Sequence, residues 1–244
     1  DLFLRPLVMQ QLHSPTCITH APDGSGRLFV CDQAGQIRII DGGMLVPTPF
    51  LDISSTAAEV SHRKVLAVTT AYTERGLLSL AFHPGYADPM SPGHGKFYVN
   101  YNKGYQAGID PPPHLGGTWT PNCTTVIAEF TVSATNPNAA DPLSERKLLL
   151  YPQPQFNHNG GSIVFDNAGL LYIGSGDGGN SNDNGSGHTG GTANNALGNG
   201  QDKTVFLGKI LRINPLDPDG VGPLTYSIPP GNPFVGVGGG VKEE

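Results

Sequence analysis

The stretch FNHNGGSIVFDNAGLLYIGSGDGG, residues 156–179, decides how this chain folds. Two short apolar runs are separated by the turn DNAG and are bounded on both sides by glycine-rich segments. This pattern is typical of a β-hairpin. His158 lies at the open end of the hairpin, in NHNGG, and Asp177 lies in the turn after the second strand. We therefore expect these two side chains to come close together.

The same pattern occurs twice more, earlier in the chain. The strand cores GRLFV, GKFYV and GLLYI begin at Gly26, Gly95 and Gly169. Each core follows another apolar run and precedes a further strand candidate, so the unit is strand–turn–strand–loop–strand, repeated about every 70 residues. Repetition of small antiparallel sheets around an axis is the β-propeller architecture. The sequence therefore predicts an all-β fold.

Composition narrows the classes of partner. The chain has 14 Lys and Arg against 20 Asp and Glu, a formal net charge of −6. An acidic chain of this kind offers no basic face to a phosphate backbone, so we expect no nucleic-acid partner. No apolar run approaches the roughly 20 residues of a membrane-spanning helix, so we also expect no membrane span.

Two of the three cysteines are placed symmetrically in the first repeat. Cys17 and Cys31 lie at equal distances from Gly24 in the turn PDGSG, so a hairpin here would bring them face to face. A cross-strand disulfide is then geometrically possible if the Cα atoms lie within about 7 Å. Two buried free thiols are the equally open alternative, because cysteine packs well as a small apolar residue.

Seven blocks along the chain carry a resemblance to a known family. They are PDGSGRLFVCDQAGQIRII, DI at 52–53, ERGLLSLAFHPGY, GKFYVNY, HNGGSIVFDNAGLLYIGSGDGG, LGKILRINP and YSIPPGNPF. In this order they resemble the soluble glucose/sorbosone (aldose sugar) dehydrogenases that depend on pyrroloquinoline quinone (PQQ). The same blocks also resemble the propeller of hedgehog-interacting proteins, a non-enzymatic relative, which leaves a protein-binding propeller as the alternative function.

The resemblance implies a six-bladed β-propeller of four-stranded antiparallel blades. Three repeats and a partial fourth cannot close such a ring, so we expect residues 1–244 to form a single incomplete propeller domain. This would be the N-terminal half to two-thirds of the family fold, inactive on its own. The residues that bind PQQ and its Ca²⁺ are then expected beyond Glu244.

The resemblance also implies a reaction. The C1 hydroxyl of an aldose or oligosaccharide is oxidised to a lactone, a hydride passes to PQQ, and an external electron acceptor reoxidises the cofactor. Because the family's quinone enzymes work outside the cytoplasm, a periplasmic or extracellular location is expected.

Five residues match functional positions of the family. His158 corresponds to the general base and Asp177 to the carboxylate that supports it, which suits the chemistry because a carboxylate fixes the tautomer of an imidazole. Glu74, Asn157 and Asn182 match positions that contact the substrate.

Three of the candidates have a structural alternative. His158 would be an ordinary loop residue, Asp177 would cap a tight turn, and Glu74 would be a rim carboxylate paired with Arg75 or another base. The segment NSNDNG, residues 180–185, has oxygen ligands at alternate positions, as at the start of a calcium loop. Glycine occupies position 191, where such a loop has its bidentate Glu.

Overall fold

The structure is a computed structural model, and it describes residues 8, 12–67, 72–114, 119–190, 197–216 and 225–244. Nearly all regular structure in these ranges is β-strand. The strands are β1 Pro15–His20, β2 Leu28–Asp32, β3 Gln36–Asp41, β4 Met44–Leu45, β5 Leu51–Asp52, β6 Leu77–Phe82, β7 Lys96–Lys103, β8 Cys123–Val132, β9 Ala140–Gln153, β10 Gly160–Phe165, β11 Leu171–Ser175 and β12 Ile210–Ile213. Two single-turn 3₁₀ helices, Val60–His62 and Ser181–Asp183, and the four-residue helix α1, Gly198–Gln201, complete the described elements.

The strands form three antiparallel sheets. Sheet 1 has the order β1-β2-β3-β4, with β5 also paired to β3; sheet 2 has the order β6-β7-β8-β9; and sheet 3 has the order β10-β11-β12. All three predicted hairpins are present, with His20 opposite Leu28, Phe82 opposite Phe97 and Phe165 opposite Leu171. The predicted all-β antiparallel class is confirmed.

The first strands of the three sheets lie side by side, with β6 between β1 and β10. The Thr16 hydroxyl donates to the Leu77 carbonyl at 2.8 Å, and the Ile163 amide donates to Ser79 Oγ at 3.3 Å. Sheets arranged in this way around their first strands are the blades of a propeller. Three blades are therefore described, and the assignment of residues 1–244 to one domain stays a prediction.

Successive side chains of β7 pack into two different apolar cores and so connect the blades. Phe97, Val99 and Tyr101 are buried in the core between sheets 1 and 2, whereas Tyr98 is buried in the core between sheets 2 and 3. A strand that buries both of its faces needs apolar side chains at successive positions, which accounts for the run FYV in GKFYVNY. Full burial of one such side chain stabilises the fold by about 1.5–3 kcal/mol.

Cys17 and Cys31 lie directly opposite each other on β1 and β2, as the sequence predicts, and the structure has both as free thiols. A hydrogen bond with Cys31 lowers the pKa of Cys17 to about 6, although partial burial acts in the opposite direction. The same hydrogen bond, together with burial, raises the pKa of Cys31. The alternative of two buried free thiols is met in part, because Cys31 is buried whereas Cys17 is only half-buried.

Within the described ranges, no helix is long and apolar enough to cross a membrane.

Candidate active site

Two glycine turns bring His158 and Asp177 together. Gly160 at the start of β10 pairs with Ser175 at the end of β11, so the segments just beyond this pair meet at one end of sheet 3. The approach is very close: a Cβ added to Gly176 would lie 1.9 Å from the carbonyl oxygen of His158. Only glycine can occupy position 176 at this separation. The sequences HNGG and GSGDGG are therefore needed for contact between the two turns.

The ring of His158 is oriented by Asp177. The Nδ1 atom of His158 lies 3.1 Å from Oδ1 of Asp177, and the same oxygen accepts the amide of Gly179 at 3.0 Å. A carboxylate only accepts, so the neutral ring donates from Nδ1 and keeps its lone pair on Nε2. The His158 side chain is 45% exposed, so a ligand in solvent can reach the ring. The predicted proximity is confirmed, whereas the catalytic roles stay predictions.

Glu74 reaches the same site from the segment before β6. Its Oε2 accepts the main-chain amide of His158 at 2.5 Å, and its Oε1 accepts the hydroxyl of Tyr72. The hydrogen bond from Tyr72 lowers the pKa of Glu74, with a smaller contribution from His158 and with burial opposing it. Arg75 instead donates to Asn122 Oδ1 at 2.7 Å. Among the described residues no ion pair joins Glu74 to Arg75 or to another basic side chain, so the alternative of a paired rim carboxylate is not supported.

The two asparagine candidates are placed differently. Asn157 is half-buried beside Gly179, and its Oδ1 is enclosed with no hydrogen-bond partner in the described chain. Asn182 is exposed in the turn Ser181–Asp183 with φ 63°, and among the described residues it makes no hydrogen bond to the other four candidates. Contact of either residue with a substrate stays a prediction.

Asn199, a buried residue that the sequence analysis did not single out, supports Asp177 through a hydrogen bond to its main chain. Asn199 is fully buried in α1, and its Nδ2 donates to the main-chain oxygens of Asp177 at 2.9 Å and Gly187 at 3.0 Å. Its Oδ1 accepts the amide of Thr189 at 3.0 Å. In the described part of the glycine-rich loop after β11, one side chain therefore joins three segments and supports the site.

A second histidine–aspartate pair holds the same loop. Asp183 accepts from Nδ1 of the buried His188 at 2.7 Å and from the amides of Asn199 and Gly200 at 2.8 and 2.7 Å. Burial alone would raise the pKa of Asp183, but these hydrogen bonds together lower it. The only carboxylate of NSNDNG is thus used inside the protein. No cluster of three or more His, Cys, Asp or Glu side chains in the described residues could hold a metal ion, so the calcium-loop interpretation gains no support.

The charged side chains around His158 bear on whether PQQ, the cofactor that the resemblance implies, could bind there. The charged groups in contact with His158 are the carboxylates of Glu74 and Asp177. PQQ itself carries several carboxylates, and like charges repel at short range. Among the described residues, the groups at His158 therefore do not fit PQQ, and no cluster of three or more His, Cys, Asp or Glu side chains offers a site for its calcium.

Comparison with known proteins gives the family context. A family model described as Glucose / Sorbosone dehydrogenase matches residues 12–243. The chain is 35% identical to the Hedgehog-interacting protein of Mus musculus over 173 residues. This aligned region covers 70% of this chain and 22% of that protein. The chain is also 30% identical to the HIPL2 protein of Arabidopsis thaliana over 252 residues. That aligned region covers 88% of this chain and 32% of the HIPL2 protein.

Two solved structures share the fold. The soluble aldose sugar dehydrogenase of Escherichia coli in its apo form has a TM-score of 0.60 at 20% identity, covering 95% of this chain and 50% of that one. The PQQ-bound aldose sugar dehydrogenase of Streptomyces coelicolor has a TM-score of 0.57 at 23% identity, covering 96% and 51%. The chain thus spans about half the length of these structures and less than a third of the mouse protein.

Proposed function

The chain belongs to the glucose/sorbosone dehydrogenase family, and from that premise we propose that the protein oxidises the C1 hydroxyl of an aldose to a lactone. His158 is the general base, and PQQ is the hydride acceptor. One observation carries the proposal: an accessible imidazole is held through Nδ1 by Asp177, which leaves Nε2 free to take a proton.

Oxidation of a cyclic aldose at C1 removes a proton from the hydroxyl and a hydride from the carbon. The residues of this chain account for the proton. A neutral imidazole accepts it on Nε2 as the hydride leaves from C1. Asp177 then stabilises the positive charge that forms on the ring.

The assignment of PQQ as the hydride acceptor rests on family membership. PQQ and Ca²⁺ are proposed because the chain belongs to this family and a structure that shares its fold is described as PQQ-bound. Since the described groups at His158 do not fit PQQ and the described residues offer no such cluster for calcium, we derive no step through either. An external electron acceptor and a periplasmic or extracellular location belong to the same proposal, and so does an oligosaccharide as an alternative substrate.

A protein-binding propeller is the second candidate. The observation that favours it is the 35% identity to the mouse Hedgehog-interacting protein. In that case His158 would be part of a surface loop, and its loss would change no chemical reaction.

The test is dye-linked oxidation of aldoses by the full-length protein, reconstituted with PQQ and calcium. We expect His158→Ala to lower kcat/KM by about 10²–10⁴-fold, as is typical for the loss of a general base. His94→Ala is the matched control, because His94 is exposed in the turn between β6 and β7, at the opposite end of sheet 2 from Glu74. Absence of turnover on every aldose by the folded, reconstituted protein would overturn the proposal and favour the binding propeller.

A further inference from the structure

The main chain of His158 is held as firmly as its ring. Its amide donates to Glu74 Oε2 at 2.5 Å, and its carbonyl accepts the amide of Gly178 at 3.2 Å. The amide of Glu74 in turn donates to the carbonyl of Phe156 at 3.1 Å, so the segment before β6 runs alongside the segment before β10. The backbone of His158 is thus fixed on both sides by residues distant in sequence.

This hold has a specific task, because His158 has φ 52°. The left-handed region is unfavourable for a residue with a Cβ atom and persists only where surrounding contacts impose it. Here the amide points at the ionised carboxylate of Glu74, and hydrogen bonds to charged acceptors are among the stronger ones in proteins. The backbone conformation sets the direction of Cβ, and therefore the direction of the ring.

Tyr72 completes the arrangement. Its hydroxyl binds the second carboxylate oxygen of Glu74, and its ring lies edge-on to Phe156 at a centroid distance of 6.4 Å. One oxygen of Glu74 is thus held by Tyr72 and the other by His158. Without Tyr72, the carboxylate would be free to rotate away from the His158 amide.

We propose that Glu74 is a positioning residue for His158: its carboxylate, held by Tyr72, fixes the left-handed backbone of His158 and so aims the ring. The catalytic meaning of this role rests on the proposed function, whereas the hydrogen bond itself does not. The role differs from a substrate contact, because it acts through the main chain of His158 and requires an acceptor atom, which the negative charge strengthens.

The test combines amide hydrogen exchange with kinetics. Exchange of the His158 amide is followed by ¹H–¹⁵N NMR in Glu74→Ala, Glu74→Gln and Tyr72→Phe, and Glu59→Ala serves as the control because Glu59 is exposed and its side chain caps nothing. We expect Glu74→Ala to accelerate exchange about 10- to 100-fold, the factor for losing a hydrogen bond to a charged group. Glu74→Gln keeps an acceptor but loses the charge, so it should accelerate exchange less than Glu74→Ala, by no more than about tenfold. Tyr72→Phe should lie between them.

The kinetic arm separates positioning from substrate binding. A misaimed base lowers kcat with little change in KM, so Glu74→Ala should lower kcat and Glu74→Gln should restore most of it. Unchanged exchange in Glu74→Ala would overturn the proposal, as would a rise in KM alone. If Glu74→Ala does not fold, Tyr72→Phe decides the question by the same readouts. If the wild type oxidises no aldose, the exchange result still decides the hydrogen bond, while the proposed function fails separately.

Discussion

A single methyl group at position 176 should separate the two halves of the candidate site. In Gly176→Ala the new Cβ would lie 1.9 Å from the carbonyl oxygen of His158 and 2.6 Å from its carbonyl carbon. Ordinary van der Waals contact begins at 3.4 Å, so the shorter distance falls about 1.5 Å short. Both clashing atoms belong to the main chain, and no side-chain rotation can relieve the overlap. The turn that carries His158 must therefore move away from the turn that carries Asp177.

The size of the effect follows from that displacement. Misplacement of a catalytic group by about 1 Å lowers the rate about 10²-fold, so we expect at least this loss in kcat/KM for aldose oxidation. Overpacking of this kind costs about 1–3 kcal/mol of unfolding free energy, so the variant should still fold. In ¹H–¹⁵N spectra the amide of Gly178, which donates to the displaced carbonyl, should shift.

Gly174→Ala is the matched control for this experiment. Position 174 lies two residues earlier on β11, where an added Cβ would have its nearest neighbours at 3.6 and 3.9 Å, in ordinary contact. We expect the control to keep wild-type kinetics within about twofold. If Gly176→Ala also kept wild-type kinetics and an unshifted Gly178 amide, close contact between the two turns would not be what positions the histidine.

Three further outcomes are expected. Iodoacetamide should alkylate Cys17 before Cys31, with a rate that rises as the pH increases through about 6, because the thiolate is the nucleophile; equal labelling of both in peptide mass spectra would contradict this. Asn199→Ala should lower the unfolding free energy measured in urea by about 2–4 kcal/mol, because its buried partners lose hydrogen bonds that contribute about 1–3 kcal/mol each. A loss below about 0.5 kcal/mol would show that the loop does not depend on Asn199. Phe97→Ala should lower the unfolding free energy by about 3–5 kcal/mol in the same assay. The control Met90→Ala, at an exposed position, should lower it by about 0.5 kcal/mol or less. Similar values for the two variants would refute the assigned core.

The sequence anticipated the strands and hairpins because these depend on local rules. Glycine turns flanked by apolar runs gave all three hairpins, and the position of Gly24 between Cys17 and Cys31 gave their pairing. The proximity of His158 and Asp177 was predictable for the same reason, since both lie just beyond the ends of one hairpin.

Contacts between distant segments were not predictable in this way. The sequence offered Arg75 or another base as a partner of Glu74, but the structure brings the amide of His158 to that carboxylate. Asn199 showed no signal beyond being one of several asparagines in a glycine-rich loop, yet it is the buried residue that joins this loop to Asp177.

The sequence by itself thus determined the all-β class and the hairpins, because period-two alternation and turn residues act over a few positions. It pointed to His158 as the candidate base only through the resemblance to a known family. Only the tertiary structure decided what surrounds that base. The segment before β6 lies beside the segment before β10 because sheets 2 and 3 pack face to face through a shared apolar core. Such packing sums many weak contacts between residues far apart in the chain, and no local pattern encodes which polar groups it brings together.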